Sequence, residues 1–157
     1  EEQDIDDLVS YIRSFAHTTA APEIPARTAT DTTITMESSY SLEETIENLE
    51  GAIVSQNFIL IRTDTLEHGL TAEGDEDSQE VILHFCNFSF LYEALKVVPR
   101  VGMFLPCRVT VTERDGKVMV TTINPLYLSH LFNNNELDEY CKQMHEVYTA
   151  ILEDATL

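Results

Sequence analysis

The stretch from residue 108 to residue 123 constrains this chain more than any other. Residues 108–113 and 117–123 alternate apolar and polar side chains around Arg114-Asp115-Gly116, and Asp-Gly between alternating runs signals a tight antiparallel hairpin. A hairpin of this kind buries one face only, so it needs further strands beside it and an apolar layer against it. With 43% of residues hydrophobic, the chain can supply both.

The flanking sequence supplies the other elements. Residues 33–40 open as a β-branched strand, and Ser41 starts a capping box completed by Glu44. Leu42, Ile46, Leu49 and Ile53 then mark one face of a helix running to about Gln56. Residues 58–62 read as a strand, 63–79 as a polar loop or weak helix, and 80–85 as a buried strand. A helix over 89–97 is stopped by Pro99, because the residue before proline avoids helical angles. Asn124-Pro125 closes the hairpin and opens a turn of helix to about Phe132. The last helix, about 136–154, carries a buried stripe of Leu137, Tyr140, Cys141, Met144, Tyr148, Ile151 and Leu152. The order β-α-β-β-α-β-β-α predicts an α+β fold with an antiparallel-rich sheet and helices packed on one face.

That fold accounts for residues 34–157. Residues 16–33, with two prolines and many threonines, read as a linker. Residues 1–15 read as an amphipathic helix, with Ile5, Leu8, Val9, Ile12 and Phe15 at helical spacing. The chain begins at Glu1 without a signal-like apolar run, as a fragment or processed product would.

Nine Lys and Arg against 28 Asp and Glu give a net charge of −19, which opposes binding to nucleic acid and to anionic lipid. No stretch approaches the roughly 18 apolar residues of a membrane span. The acids are spread along the whole length, which suits a solvated surface in a saline medium or a docking face for a basic electron-carrier protein.

Several features bear on chemistry. His84 and Cys86 share one face of a strand, and Cys107 opens a later one. Three readings of this trio stay open: a site for a soft metal or haem iron, a Cys86–Cys107 disulfide, or plain packing. Phe88, Phe90, Met103 and Phe104 are placed to line a pocket for a planar ligand, again against a packing role. Cys86 also precedes a helix start, which would suit a thiol-dependent enzyme or sulfur carrier, although no acid is placed by the sequence to orient His84. Cys141 and His145 at i and i+4 form a weaker metal pair, as do His68 and its acidic neighbours Asp64 and Glu67. His17 and His130 have no such neighbours. Asn87 and Asn124, at strand ends, are expected to satisfy backbone groups or take left-handed angles. The cysteines have no C-x-x-C spacing, so neither a zinc knuckle nor covalent haem attachment is encoded.

Residues 84–125, HFCNFSFLYEALKVVPRVGMFLPCRVTVTERDGKVMVTTINP, resemble the second half of the domain-of-unknown-function family numbered 302. The Cys-Asn step, the "ALxxxPR" helix end, the "LPCRV" strand entry and the Asp-Gly hairpin closed by Asn-Pro carry the resemblance. It implies a small α+β domain that tends to dimerise and has no established activity. Phe88 departs from the family's proline after Cys-Asn. Val97-Val98 lacks the acid that commonly precedes Pro-Arg, a polar partner for Arg100. Separately, "DIDDLVSYIRSF" is similar to the C-terminal helix of class I cytochromes c. That resemblance implies a haem domain ahead of the linker and an extracytoplasmic, periplasmic location.

The sequence thus leads to a non-enzymatic ligand-binding or interaction domain appended to a c-type cytochrome, serving electron transfer or sulfur metabolism. Haem or a soft metal would bind near His84, Cys86, Cys107, Met103 and Phe88. A homodimerisation module without a ligand is the alternative, and a Cys86-dependent enzyme or sulfur carrier is a second.

Overall fold

The computed structural model describes residues 31–65 and 79–157. The helix expected at 1–15, most of the linker, and the polar stretch containing His68 lie outside the described residues.

The Asp-Gly hairpin forms as expected. β4 (Cys107–Arg114) and β5 (Lys117–Ile123) pair antiparallel from Arg114 opposite Lys117 to Val109 opposite Thr122. Asp115 and Gly116 both take positive φ, at 53° and 71°, as a type I′ turn requires. β1 (Thr33–Ser38), β2 (Ile59–Thr65) and β3 (Gln79–Cys86) complete a five-stranded antiparallel sheet in the order β1-β5-β4-β3-β2.

Period-2 alternation sorts the sheet into two faces. Val81, Leu83 and Phe85 of β3, Val109 and Val111 of β4, and Val118 and Val120 of β5 are buried on the inner one. There they pack against α1 (Leu42–Ser55) and α4 (Asn135–Thr156) through Leu49, Ile53, Ile151 and Leu152. Phe58, Phe85 and Tyr148 meet edge to face in this core, with ring centroids 5.4 to 6.2 Å apart. Burying one such side chain contributes about 1.5–3 kcal/mol, so these contacts, more than helix propensity, hold the helices on one face. Ser41 and Glu44 form the expected capping box at the start of α1.

A second, smaller core gathers Ala94 and Val98 from α2 (Phe88–Val97) and its C-cap, Val101 from a 3₁₀ helix (Pro99–Phe104), and Leu137 and Cys141 from α4. The sequence order lacked two of these parts. Pro99, read as a stop, also occupies the first turn of the 3₁₀ helix, where its missing N–H costs nothing. The helical turn expected from Asn124-Pro125 to about Phe132, not counted in the order, forms as a separate helix, α3 (Pro125–Phe132), packed on α4.

Asn87 and Asn124 take the first of the two roles expected of them. Both have extended angles and act as N-caps, accepting from Phe90 and Leu126 N–H. The left-handed positions belong to Asn57 and Asn133, with φ of 61° and 47°, where α1 and α3 end. Arg100, which lacks the acid common before Pro-Arg, lies 5.6 Å from the centre of the Phe132 ring, a cation–π distance.

Candidate functional site

Between the two cores the chain leaves a cavity of about 80 Å³. It exists because α4 passes from one core to the other. Leu137 and Cys141 belong to the smaller core and Tyr148 to the larger, and the gap opens beside Cys141, Met144 and Tyr148 at the crossing. Phe90, Leu91 and Ala94 of α2 and Phe104 of the 3₁₀ helix form the opposite wall. All three cysteines line it: Cys86 at the end of β3, Cys107 at the start of β4, and Cys141 on α4.

The lining is almost wholly apolar, and its thiols are held neutral. Burial pushes the Cys107 and Cys141 thiols up to about 11 and raises Cys86 as well. The Cys107 thiol is hydrogen-bonded to the Tyr148 hydroxyl, which burial keeps protonated. A thiol needs a lowered value to act as nucleophile or metal ligand. Here the environment works in the other direction, so the cysteines act as small apolar side chains around a polar tip at Tyr148.

The trio read from the sequence does not assemble. His84 lies on the outer sheet face, in register with Arg62 on β2 and Arg108 on β4. Its Nε2 donates to Asp64 Oδ2 at 3.0 Å, and the same oxygen accepts from Arg62 Nε at 3.0 Å. Its Nδ1 is buried and has no hydrogen-bond partner. His84 therefore does not share a site with the two thiols, and no group of three metal-ligating side chains occurs among the described residues. The acid that orients His84 is Asp64, twenty residues upstream and brought alongside by β2–β3 pairing.

The disulfide reading is corrected too. All three cysteines are free, and the register sets Cys107 opposite Phe85, leaving Cys86 opposite Ile59. Of the four residues expected around a planar ligand, Phe90 and Phe104 line the cavity, whereas Phe88 and Met103 are exposed at 46% and 71%. Phe88 and Phe90 are two residues apart on a helix, hence about 200° apart around its axis, and cannot share one face. Cys141 and His145 also part company. Cys141 faces the cavity, and His145 Nδ1 donates to Asn124 Oδ1 at 3.0 Å. What the sequence reading missed is the contribution of α4. Its signal was present in the stripe through Cys141, Met144 and Tyr148, but a stripe of that kind does not disclose where the packing leaves a gap.

Comparison with known proteins places this geometry in a family. The family model "Domain of unknown function DUF302" matches residues 34–155. The crystal structure of an uncharacterized conserved DUF302 protein from Bacillus stearothermophilus superimposes with a TM-score of 0.74 at 26% sequence identity. The match covers 80% of this chain and 99% of that one. No curated protein matches. The domain that builds the two cores and the cavity between them therefore belongs to the DUF302 family.

Proposed function

We propose that this domain is a non-enzymatic binding module that takes a small, uncharged, apolar molecule into the cavity between its cores. The observation that carries the reading is the cavity itself, an apolar space of about 80 Å³ lined by three protonated thiols and the ring and hydroxyl of Tyr148. Neutral sulfur and ring edges favour aromatic or thioether guests through dispersion and sulfur–aromatic contact. A cavity of this size is smaller than the roughly 150 Å³ that holds a benzene, so a guest enters fully only if the open side admits part of it. Haem is far larger than this cavity, and His84, the histidine expected to ligate it, lies outside the lining, engaged with Asp64.

The resemblance of residues 1–15 to a cytochrome c terminal helix supports an extended form of the reading. In it the module is carried beside a haem domain, outside the cytoplasm, and serves electron transfer, its charge of −19 suiting a basic electron carrier. The raised thiols count against the sulfur-carrier alternative, because Cys86 lacks the depressed value that carrier chemistry needs. Association into a homodimer is a second reading, favoured by the exposed edge of β2, where Ile59 and Ile61 are 57% and 47% exposed.

Ala94 tests the first reading, since it lines the cavity and is 6% exposed. Ala94→Leu fills the space and is expected to raise stability by about 0.5–2 kcal/mol. Titration with toluene and with dimethyl sulfide, followed by NMR shifts of the Cys86, Cys141 and Met144 signals, is expected to saturate in the native protein and vanish in the variant. If neither probe moves those signals, the cavity is a packing defect and the reading falls.

A further inference from the structure

Of the two tyrosines on the wall of the cavity, Tyr140 is half-buried and Tyr148 is only 4% exposed. The Tyr148 ring is fixed by edge-to-face contacts with Phe58 and Phe85, and a phenylalanine would make those contacts equally well. Its hydroxyl therefore needs an explanation of its own, because a polar group taken out of water costs free energy unless a partner replaces the lost hydrogen bonds. The side-chain partner that the fold provides is the Cys107 thiol, and a thiol is a weak donor and a weak acceptor.

That pairing leaves capacity unspent. A phenolic hydroxyl has one hydrogen and two lone pairs. If Tyr148 gives its hydrogen to Cys107 Sγ, both lone pairs stay open; if Cys107 gives its own, one lone pair and the hydroxyl hydrogen do. In either arrangement Tyr148 Oη can accept from a molecule inside the cavity. Asn87, the amide on the same wall, does not compete for the place, since it accepts from Phe90 N at 3.1 Å and donates to Asn57 O at 3.4 Å. Water suits the place poorly, because an ordered water takes two to four polar partners and this lining is almost wholly apolar.

We infer, resting on the ligand reading above, that the guest is a small neutral alcohol or phenol, whose one hydroxyl meets Tyr148 Oη while its apolar body fills the rest of the cavity. A hydroxyl both donates and accepts, so it fits both arrangements of the Tyr148–Cys107 pair. An ether or ketone only accepts and fits one of them; a hydrocarbon fits neither. A charged end is excluded, because no acidic or basic side chain lines the cavity to offset its removal from water.

Phenol and toluene separate the possibilities, since they differ by a hydroxyl in place of a methyl and share one shape. In an apolar cavity without a partner, phenol loses its bonds to water and binds at least about tenfold more weakly than toluene. Here phenol is expected to bind at least as tightly, measured by titrations that follow the NMR signals of Cys86, Cys141 and Met144. Tyr148→Phe is expected to lower the phenol-to-toluene affinity ratio by at least about tenfold. Should that variant fail to fold, Cys107→Ala gives a second reading: it frees the Tyr148 hydroxyl from its thiol, so the ratio is expected to rise, and a ratio that stays or falls would count against the assignment. Phenol binding tenfold more weakly than toluene in the native protein would overturn it, as would a preference for phenol that Tyr148→Phe leaves intact and Tyr140→Phe removes. In both of those cases toluene still binds and the ligand reading stands. If neither molecule moves the signals, both fall together.

Discussion

At Cys107 one residue's position decides how the cavity behaves. Register places it opposite Phe85, on the inner face, where its thiol meets the Tyr148 hydroxyl. Burial raises its ionisation to about 11, and Cys141 on the far wall is raised to about 11 for the same reason. An acid whose value is higher folded than unfolded binds more protons in the folded state across the interval between the two. Its contribution is full below about pH 9, where an unfolded thiol starts to ionise, and is lost as pH climbs towards 11. The loss is up to roughly 2–3 kcal/mol per thiol, from about 1.4 kcal/mol per pH unit. Urea unfolding at about pH 8 and about pH 10.5 is expected to show the decline, with a smaller one in Cys141→Ala; equal declines would mean that the Cys141 thiol is not protected by burial. The sequence disclosed the cysteines but not their shared cavity, because the inner or outer aspect of a residue at a strand end depends on the partner strand's register.

At the scale of elements, two helices begin in the same way, and one of them departs from the pattern. Asn124 caps α3 and is followed by Pro125; Asn87 caps α2 and is followed by Phe88. Phe88 is thus the first residue of α2, where an amide has no partner within the helix and the fixed φ of proline fits. Asn87 already has the extended angles, φ −109° and ψ 103°, that a following proline demands. Phe88 is also 46% exposed, so little packing is lost. Phe88→Pro is expected to stabilise the domain by about 0.4–1 kcal/mol by narrowing the unfolded ensemble, measured as a higher midpoint in thermal melts; a lower midpoint would show that the Phe88 ring carries packing its exposure hides. This also explains why the family resemblance held despite the missing proline, since the asparagine cap sets the turn. Strands, hairpin and long helices were legible in the sequence because alternation, the Asp-Gly turn and the Ser41–Glu44 box are local signals. The 3₁₀ helix was not, since it begins at a proline that reads equally well as a stop, and only the packing of Val101 into the smaller core settles that the chain turns on; the helical turn to about Phe132 was legible from Asn124-Pro125, though not counted in the element order.

For the whole molecule, the acidity and the architecture pull in opposite directions. The two cores draw the helices onto one face of the sheet, while a net charge of −19 spread along the chain resists any compact state. Among the described residues few ion pairs offset it. Lys117 reaches Glu37 at 3.2 Å, Lys96 reaches Glu93, and both pairs are exposed, where such contacts contribute about 0–1 kcal/mol. The repulsion therefore has to be screened by the medium. The Debye length falls from about 30 Å at 0.01 M salt to about 3 Å at 1 M, so the unscreened penalty should largely disappear over that range. The melting midpoint is expected to rise by at least about 4 °C between those concentrations of sodium chloride, the shift that about 1 kcal/mol produces in a domain near this size. Sodium is the counterion, and chloride is the right anion to accompany it because sulfate would also strengthen apolar burial and confuse the two effects. A flat profile would mean that the fold tolerates its own charge without screening. The saline-medium explanation would then lose its support, and the acids would be better understood as a face presented to a basic partner, whose binding salt would weaken instead.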